Sequence, residues 1–179
     1  KETIVKAAEK AGWAQKWGKL PPFRGIGIGC NSVQTGFPMG IRGGSQAYIK
    51  FNEDAGVTVI SGVVDHGQGN DNMLVQIAAE ELGVRPEDIQ LITADTEVTP
   101  SDPGAYSQVS TFIGGHAVKL AAQKAREKIF AIASEKLEAL QEDLIVRDRM
   151  VYVQGSPEKA IPLKKVLRMG LAQGRPVSG

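Results

Sequence analysis

The 179-residue sequence predicts an α+β fold, a mixed β-sheet packed with two principal α-helices. Three stretches carry that reading. Val57 to Gly62 is apolar and β-branched, and a glycine-rich turn, a helical pattern ending at Leu82 and a second apolar run from Ile89 to Thr93 follow it, which reads strand, loop, helix, strand. A longer helical pattern runs from Thr111 or Gly115 to Leu140, with Val118, Ala121, Ala122, Ala125, Ile129, Ile132, Ala133 and Leu137 on one face. Leu144-Ile145-Val146 and Met150-Val151-Tyr152-Val153, either side of Arg147-Asp148-Arg149, read as a hairpin.

Taken in chain order, Glu2 to Lys16 places Ile4, Val5, Ala8, Ala11 and Trp13 at near-helical spacing, and Pro21-Pro22 closes the pattern. This divides the chain into a helical segment, 1–22, and a domain over 23–179. Arg24 to Ser32 is small-residue and β-biased, so a strand is expected there. Ala47, Ile49 and Phe51 alternate, and the polar run Asn52-Glu53-Asp54-Ala55-Gly56 turns that segment back on Val57 to Gly62 as an antiparallel pair. Met73, Val75, Ile77, Ala78, Ala79 and Leu82 make the first principal helix, ended by Gly83 with Pro86 beyond. Asp95 to Tyr106 is too rich in Thr, Pro, Ser, Asp and Gly for regular structure, and a loop of that length in a compact domain is often functional. A strand near Ala160-Ile161-Pro162 and a helix from Leu163 to Met169, ended by Gly170, complete the chain.

The formal net charge of +1, with 42% hydrophobic and 23% charged residues, describes an ordinary globular chain and not a disordered tail. Basic residues are scattered among acidic ones, so neither nucleic acid nor a membrane surface is an expected partner. No apolar stretch reaches the roughly 20 residues of a membrane span. The single cysteine, Cys30, excludes an internal disulfide, and the cytoplasm is the expected compartment. A start at Lys1 within an amphipathic pattern and a turn-rich end at Gly174 to Gly179 suggest an internal piece of a longer chain.

Two loops offer chemistry. Asp65-His66-Gly67-Gln68-Gly69-Asn70 joins a strand to a helix start, where glycines admit a close ligand and unpaired N–H groups favour an anion such as phosphate. A plain turn with Asn70 as N-cap explains the same residues equally well. Ser107, Gln108, Ser110 and Thr111 open the long helix with hydroxyls and free backbone donors, where a polar surface loop is the simpler explanation. Other signals fall away. Gly25-Ile26-Gly27-Ile28-Gly29 has no helix after it, so it is not a dinucleotide loop. Cys30, His66 and His116 lack metal-ligand spacing, Asp65-His66 lacks a nucleophile, and Glu80-Glu81 reads as a solvated helix face.

The combination of segments resembles a known family. Gly62-Val63-Val64-Asp65-His66-Gly67-Gln68-Gly69, followed by Gln76-Ile77-Ala78-Ala79-Glu80-Glu81-Leu82-Gly83, is similar to the strand, GQG loop and Q-x-A-A-E-x-L-G helix of molybdenum hydroxylases of the xanthine dehydrogenase/aldehyde oxidase type. Asp95-Thr96-Glu97-Val98-Thr99-Pro100 resembles that family's D-T-x-x-T-P loop, and Gly104-Ala105-Tyr106-Ser107 and Gly115-His116-Ala117-Val118 continue it in register. The likeness runs from about Arg24 to Lys128, and Tyr106-Ser107 with Arg24-Gly25 point toward the 4-hydroxybenzoyl-CoA reductase alpha subunit.

The resemblance implies that 23–179 is part of the molybdopterin-binding domain of a catalytic large subunit. It implies that His66, Gly67, Gln68 and Gly69, together with Ser107, Gln108, Val109, Ser110 and Thr111, wrap the pterin and its phosphate, in bacterial members as the cytosine dinucleotide. The implied activity is hydroxylation, or reductive dehydroxylation, of an aromatic or heterocyclic small molecule such as an aromatic acyl-CoA, with iron–sulfur clusters and FAD on partner subunits or domains. The family's glycine-flanked glutamate base has no counterpart here, so no catalytic residue and no metal ligand is assigned, and the isolated chain is expected to be inert. A freestanding phosphate- or nucleotide-binding module, and a structural subunit of a split-chain hydroxylase, remain open alternatives.

Overall fold

A computed structural model describes residues 1–33 and 43–179, and the chain divides into two compact units, Lys1–Gln34 and Thr35–Gly179. In the first unit, α1 (Glu2–Ala11) stops at Gly12, whose φ of 68° is the left-handed conformation that ends helices, and a short α2 (Trp13–Lys16) follows. The single helix expected over Glu2 to Lys16 is therefore broken at a glycine rather than at the prolines. Trp13 and Trp17 stack with ring centroids 4.7 Å apart. The strand expected over Arg24 to Ser32 does not form. Apart from half-buried Ile26 these residues are exposed, and without a ladder partner a β-biased run gains nothing from being extended.

Among the described residues the second unit carries two three-stranded sheets. In the first, β1 (Ala47–Phe51) pairs antiparallel with β2 (Val57–Ser61), and β3 (Ile89–Ile92) lies parallel to β2 after the crossover through α3 (Asn70–Leu82). The expected hairpin and the strand–helix–strand unit both form. In the hairpin turn it is Ala55, with φ 74°, and not Gly56 that is left-handed, while Gly56 N–H donates to Asp54 Oδ1 at 2.9 Å. Ala55 is buried, which offsets the backbone strain. Residues 177–179 lie along the free edge of β1, Ile49 and Gly179 exchanging N–H···O bonds of 3.0 and 2.9 Å.

The second sheet is wholly antiparallel and was not separated from the first by its sequence pattern: β4 (Leu144–Arg147), β5 (Met150–Val153) and β6 (Ser156–Pro162). Asp148 and Arg149 turn the β4–β5 hairpin with φ of 48° and 60°. The turn is fixed from outside, because Arg149 N–H donates to Gly83 O and the Arg149 guanidinium pairs with the Asp88 carboxylate, whose side chain is 4% exposed. α5 (Leu163–Ala172) runs past Gly170 by two residues.

The core lies where α3 and α4 (Gly115–Leu137) pack on each other and on the sheets. Leu74, Ala78 and Leu82, four residues apart, are fully or almost fully buried along α3. Val118, Ala121, Ala122, Ala125, Ile129, Ile132 and Ala133 do the same on α4, as its apolar spacing requires. Burial of a Leu or Ile side chain contributes about 1.5–3 kcal/mol. Glu81 is not on a solvated face: its carboxylate meets Arg126 Nη2 at 2.8 Å with only 13% of the side chain exposed, and Arg126 Nη1 donates to Glu81 O. Among the described residues no helix is long and apolar enough to cross a membrane.

Candidate functional site

The β2–α3 loop is organised by Asp65. Its carboxylate accepts N–H groups from Gly67 at 2.5 Å, Asp71 at 3.2 Å and Gly69 at 3.4 Å, so it caps the start of α3 from five residues upstream. The Gly67 N–H above all, then that of Asp71, hold the Asp65 carboxyl below the usual carboxylate range. Gly67 and Gly69 have φ of 106° and 88°, conformations that favour glycine. Asn70 is not the N-cap expected from sequence. It is the first helical residue, 5% exposed, and its Nδ2 donates to Val64 O at 2.9 Å. Gln68 folds back on the loop, with Oε1 accepting the His66 N–H at 2.6 Å.

The second loop is closed from within. Asp95 accepts the Glu97 N–H through its side chain and the Thr99 N–H and hydroxyl through its carbonyl, which accounts for the Asp and Thr of the D-T-x-x-T-P pattern. Asp102 Oδ1 similarly takes the Gly104 N–H at 2.9 Å. Gly62 lets this loop settle on the end of β2, since a Cβ there would lie 2.1 Å from Pro100 O. The chain then passes through Ser107 and Gln108 with φ of 46° and 60°, two successive non-glycine residues in the left-handed region. Each costs about 1–2 kcal/mol. A π-helical turn, Ser110–Gly114, leads directly into α4. This explains why the helix start could not be fixed between Thr111 and Gly115 from its apolar spacing, because a π turn shifts the register of every following side chain.

The two loops meet. A hollow of about 490 Å³ is lined by His66, Gln68, Asn70, Ala105, Tyr106, Ser107, Gln108, Ser110 and Thr111. Of the nine residues predicted from sequence, His66, Gln68, Ser107, Gln108, Ser110 and Thr111 line it. Gly67 and Gly69 shape the loop behind it, and Val109 is buried in the core. The expectation that glycine-loop N–H groups face this space is corrected: those of Gly67, Gly69 and Asp71 point at Asp65 instead. Asn70, Ala105 and Tyr106 were not anticipated as lining residues, although all three adjoin the predicted runs.

Close helix approach holds the hollow's walls together. A Cβ at Gly114 would lie 2.4 Å from Val63 Cγ2, and one at Gly115 would lie 2.8 Å from Ile77 Cδ1. Two consecutive glycines thus let the π turn press against β2's exit and α3. The wall supplies three aliphatic hydroxyls, three carboxamides, an imidazole and a phenol, with no carboxylate, ammonium or guanidinium among the lining residues. Such a set offers donors and acceptors without fixed charge, which suits the amide edge of a pterin and a phosphate held by hydrogen bonds. A larger hollow, about 680 Å³, lies at the other end of α3 beside Gly83 and the hairpin tip Arg147-Asp148. Among the described residues no group of His, Cys, Asp and Glu is arranged to hold a metal ion.

Comparison with known proteins identifies the family. Residues 5–179 match the family described as molybdopterin cofactor-binding domain. The chain is 34% identical over 144 residues to the putative xanthine dehydrogenase molybdenum-binding subunit XdhA of Escherichia coli, covering 79% of this chain and 19% of that one. It is 35% identical over 135 residues to the 6-hydroxypseudooxynicotine dehydrogenase complex subunit gamma of Paenarthrobacter nicotinovorans, covering 75% and 16%. The crystal structure of a Cu,Mo-CO dehydrogenase superposes with a TM-score of 0.71 at 27% identity, over 82% of this chain and 20% of that one. The chain thus spans about a fifth of the length of such relatives. With its two convergent loops and this match over nearly its whole length, the chain belongs to the molybdopterin cofactor-binding domain family, in the large subunits of xanthine dehydrogenase- and CO dehydrogenase-type molybdenum hydroxylases.

Proposed function

We propose that the parent protein is a molybdopterin-dependent oxidoreductase acting on an aromatic or heterocyclic small molecule, and that this segment holds part of the cofactor between its two loops. The supporting observation is the shared hollow: two separate helix starts, at Asn70 and Ser110, present hydrogen-bonding side chains to one space. His66, Gln68, Ser107, Gln108, Ser110 and Thr111 would contact the pterin and its phosphate, while Gly67, Gly69 and Val109 hold the backbone around them. When bound, the cofactor would supply the two-electron redox chemistry. The residues here would orient it through hydrogen bonds from the two walls.

The cytosine dinucleotide form, iron–sulfur and FAD partner subunits and a cytoplasmic location belong to the same proposal. The relatives named above support a complex of subunits, since one is itself the gamma subunit of a dehydrogenase complex. Two of their names concern the heterocyclic compounds xanthine and 6-hydroxypseudooxynicotine and the third carbon monoxide; none concerns an aromatic acyl-CoA, for which only Tyr106-Ser107 and Arg24-Gly25 speak. The test is elemental and nucleotide analysis of the natively purified full-length complex. About one molybdenum per large subunit, with cytidine monophosphate released on acid hydrolysis, is expected. A complex that carries no molybdenum after expression with an intact cofactor pathway would rule the proposal out.

A further inference from the structure

One side chain holds the β2–α3 loop closed. Asp65 gathers the N–H groups of Gly67 and Asp71 at 2.5 and 3.2 Å and reaches that of Gly69 at 3.4 Å. Glycine-rich backbone has the most freedom to lose, so an unanchored loop here would sample many conformations. Inside the closed loop Gln68 turns back, its Oε1 on the His66 N–H at 2.6 Å and its Nε2 toward Val64 O at 3.4 Å. Those two backbone groups flank Asp65 on either side, so the place of the Gln68 amide depends on the loop's closure. A carboxamide has a second lone pair and a second hydrogen, and Gln68 lines the hollow where both are of use.

We propose that Asp65 is a positioning residue: its carboxylate fixes the amide of Gln68 on the wall of the hollow. At the same time it fills the positive end of α3 with the chain's own negative charge. This rests on the reading of the hollow as the cofactor seat.

The test measures molybdenum per polypeptide in the full-length complex after a fixed dilution and gel filtration, in Asp65→Ala, Gln68→Ala, the double variant, Asp65→Glu and Thr111→Val. Asp65→Ala and Gln68→Ala should each lower retention at least fivefold. The double variant should match Gln68→Ala within twofold, because one residue acts through the other, whereas independent structural damage would multiply the losses. Asp65→Glu, which keeps the charge, should restore more than half. Wild-type retention in Asp65→Ala, or multiplied losses in the double variant, overturns the proposal. If Gln68→Ala and Thr111→Val also keep full molybdenum, the hollow is not the seat and both readings fall. If those two lose it and Asp65→Ala does not, only the role of Asp65 falls. Should Asp65→Ala fail to fold, hydrogen exchange in the wild type decides. The amides of 67, 69 and 71 should exchange at least tenfold more slowly than in an unstructured peptide, and exchange at the peptide rate overturns the proposal.

Discussion

Gly114→Ala is the smallest change that separates the two walls of the hollow. The added methyl would lie 2.4 Å from Val63 Cγ2, and Val63 is completely buried, so it cannot swing into solvent. Carbon atoms pack at about 3.5–4.0 Å, so the π turn and the exit of β2 must part by roughly 1 Å. Overpacking of this kind costs about 1–3 kcal/mol. The better helix propensity of Ala returns about 0.5–1 kcal/mol. A net destabilisation of about 1–2 kcal/mol is expected, confined at first to the contact of α3 with α4. Hydrogen exchange read by mass spectrometry on the full-length protein measures it locally: amides of residues 70–82 and 110–120 should exchange about 5- to 30-fold faster, at roughly 1.4 kcal/mol per tenfold. Gly67→Ala is the control, since nothing lies within 4 Å of its added methyl and only its φ of 106° is strained. Unchanged exchange in Gly114→Ala would show that the glycine pair is not what sets the approach.

Three further outcomes are expected. Gly83→Ala should destabilise by more than about 3 kcal/mol, because its Cβ would meet backbone atoms, Val146 O at 2.3 Å, at a left-handed φ of 61°, and soluble yield and thermal unfolding check it. Arg149→Ala should cost about 1–3 kcal/mol, since it strands the nearly buried Asp88 carboxylate while its own side chain is half exposed, and urea unfolding compared with Arg149→Lys reads the loss. Asp65 gives a pH signature. Its folded pKa is depressed, so its contribution is fully present above the unfolded value of about 3.9 and is lost as pH falls through the lower folded value. Amide exchange at Gly67 and Asp71, corrected for intrinsic rates, should accelerate in that acid window in the wild type and not in Asp65→Asn.

Most of the second unit was legible because its periodicity is strong. The face from Val118 to Ala133 repeats at helical spacing, and that face is the one buried. The β2–α3–β3 unit was legible because Gly83 and Pro86 punctuate it. What was missed has a common cause, side-chain partners distant in sequence. Asp88 fixes a hairpin sixty residues away, Arg126 takes Glu81 out of solvent, and neither pairing leaves a local pattern. Arg24 to Ser32 has strand composition without a strand, since composition cannot supply a ladder partner. At the site, the resemblance named two runs that line one hollow, but the direction of the N–H groups was not readable. Asp65 could have been suspected as the cap: an Asp shortly before a glycine-rich helix start is a common acceptor for its backbone donors.

The claim on which the functional reading turns is that the His66–Gln68 and Ser107–Thr111 walls enclose one ligand. An experimental structure of the full-length, molybdenum-loaded protein tests it directly. Density for the pterin and its phosphate should fill the space between Gln68 and Thr111, with the phosphate nearer Ser110 than Asp65 and anomalous scattering at the molybdenum edge close by. Cofactor density elsewhere, with this hollow occupied by another domain's side chains, would contradict it.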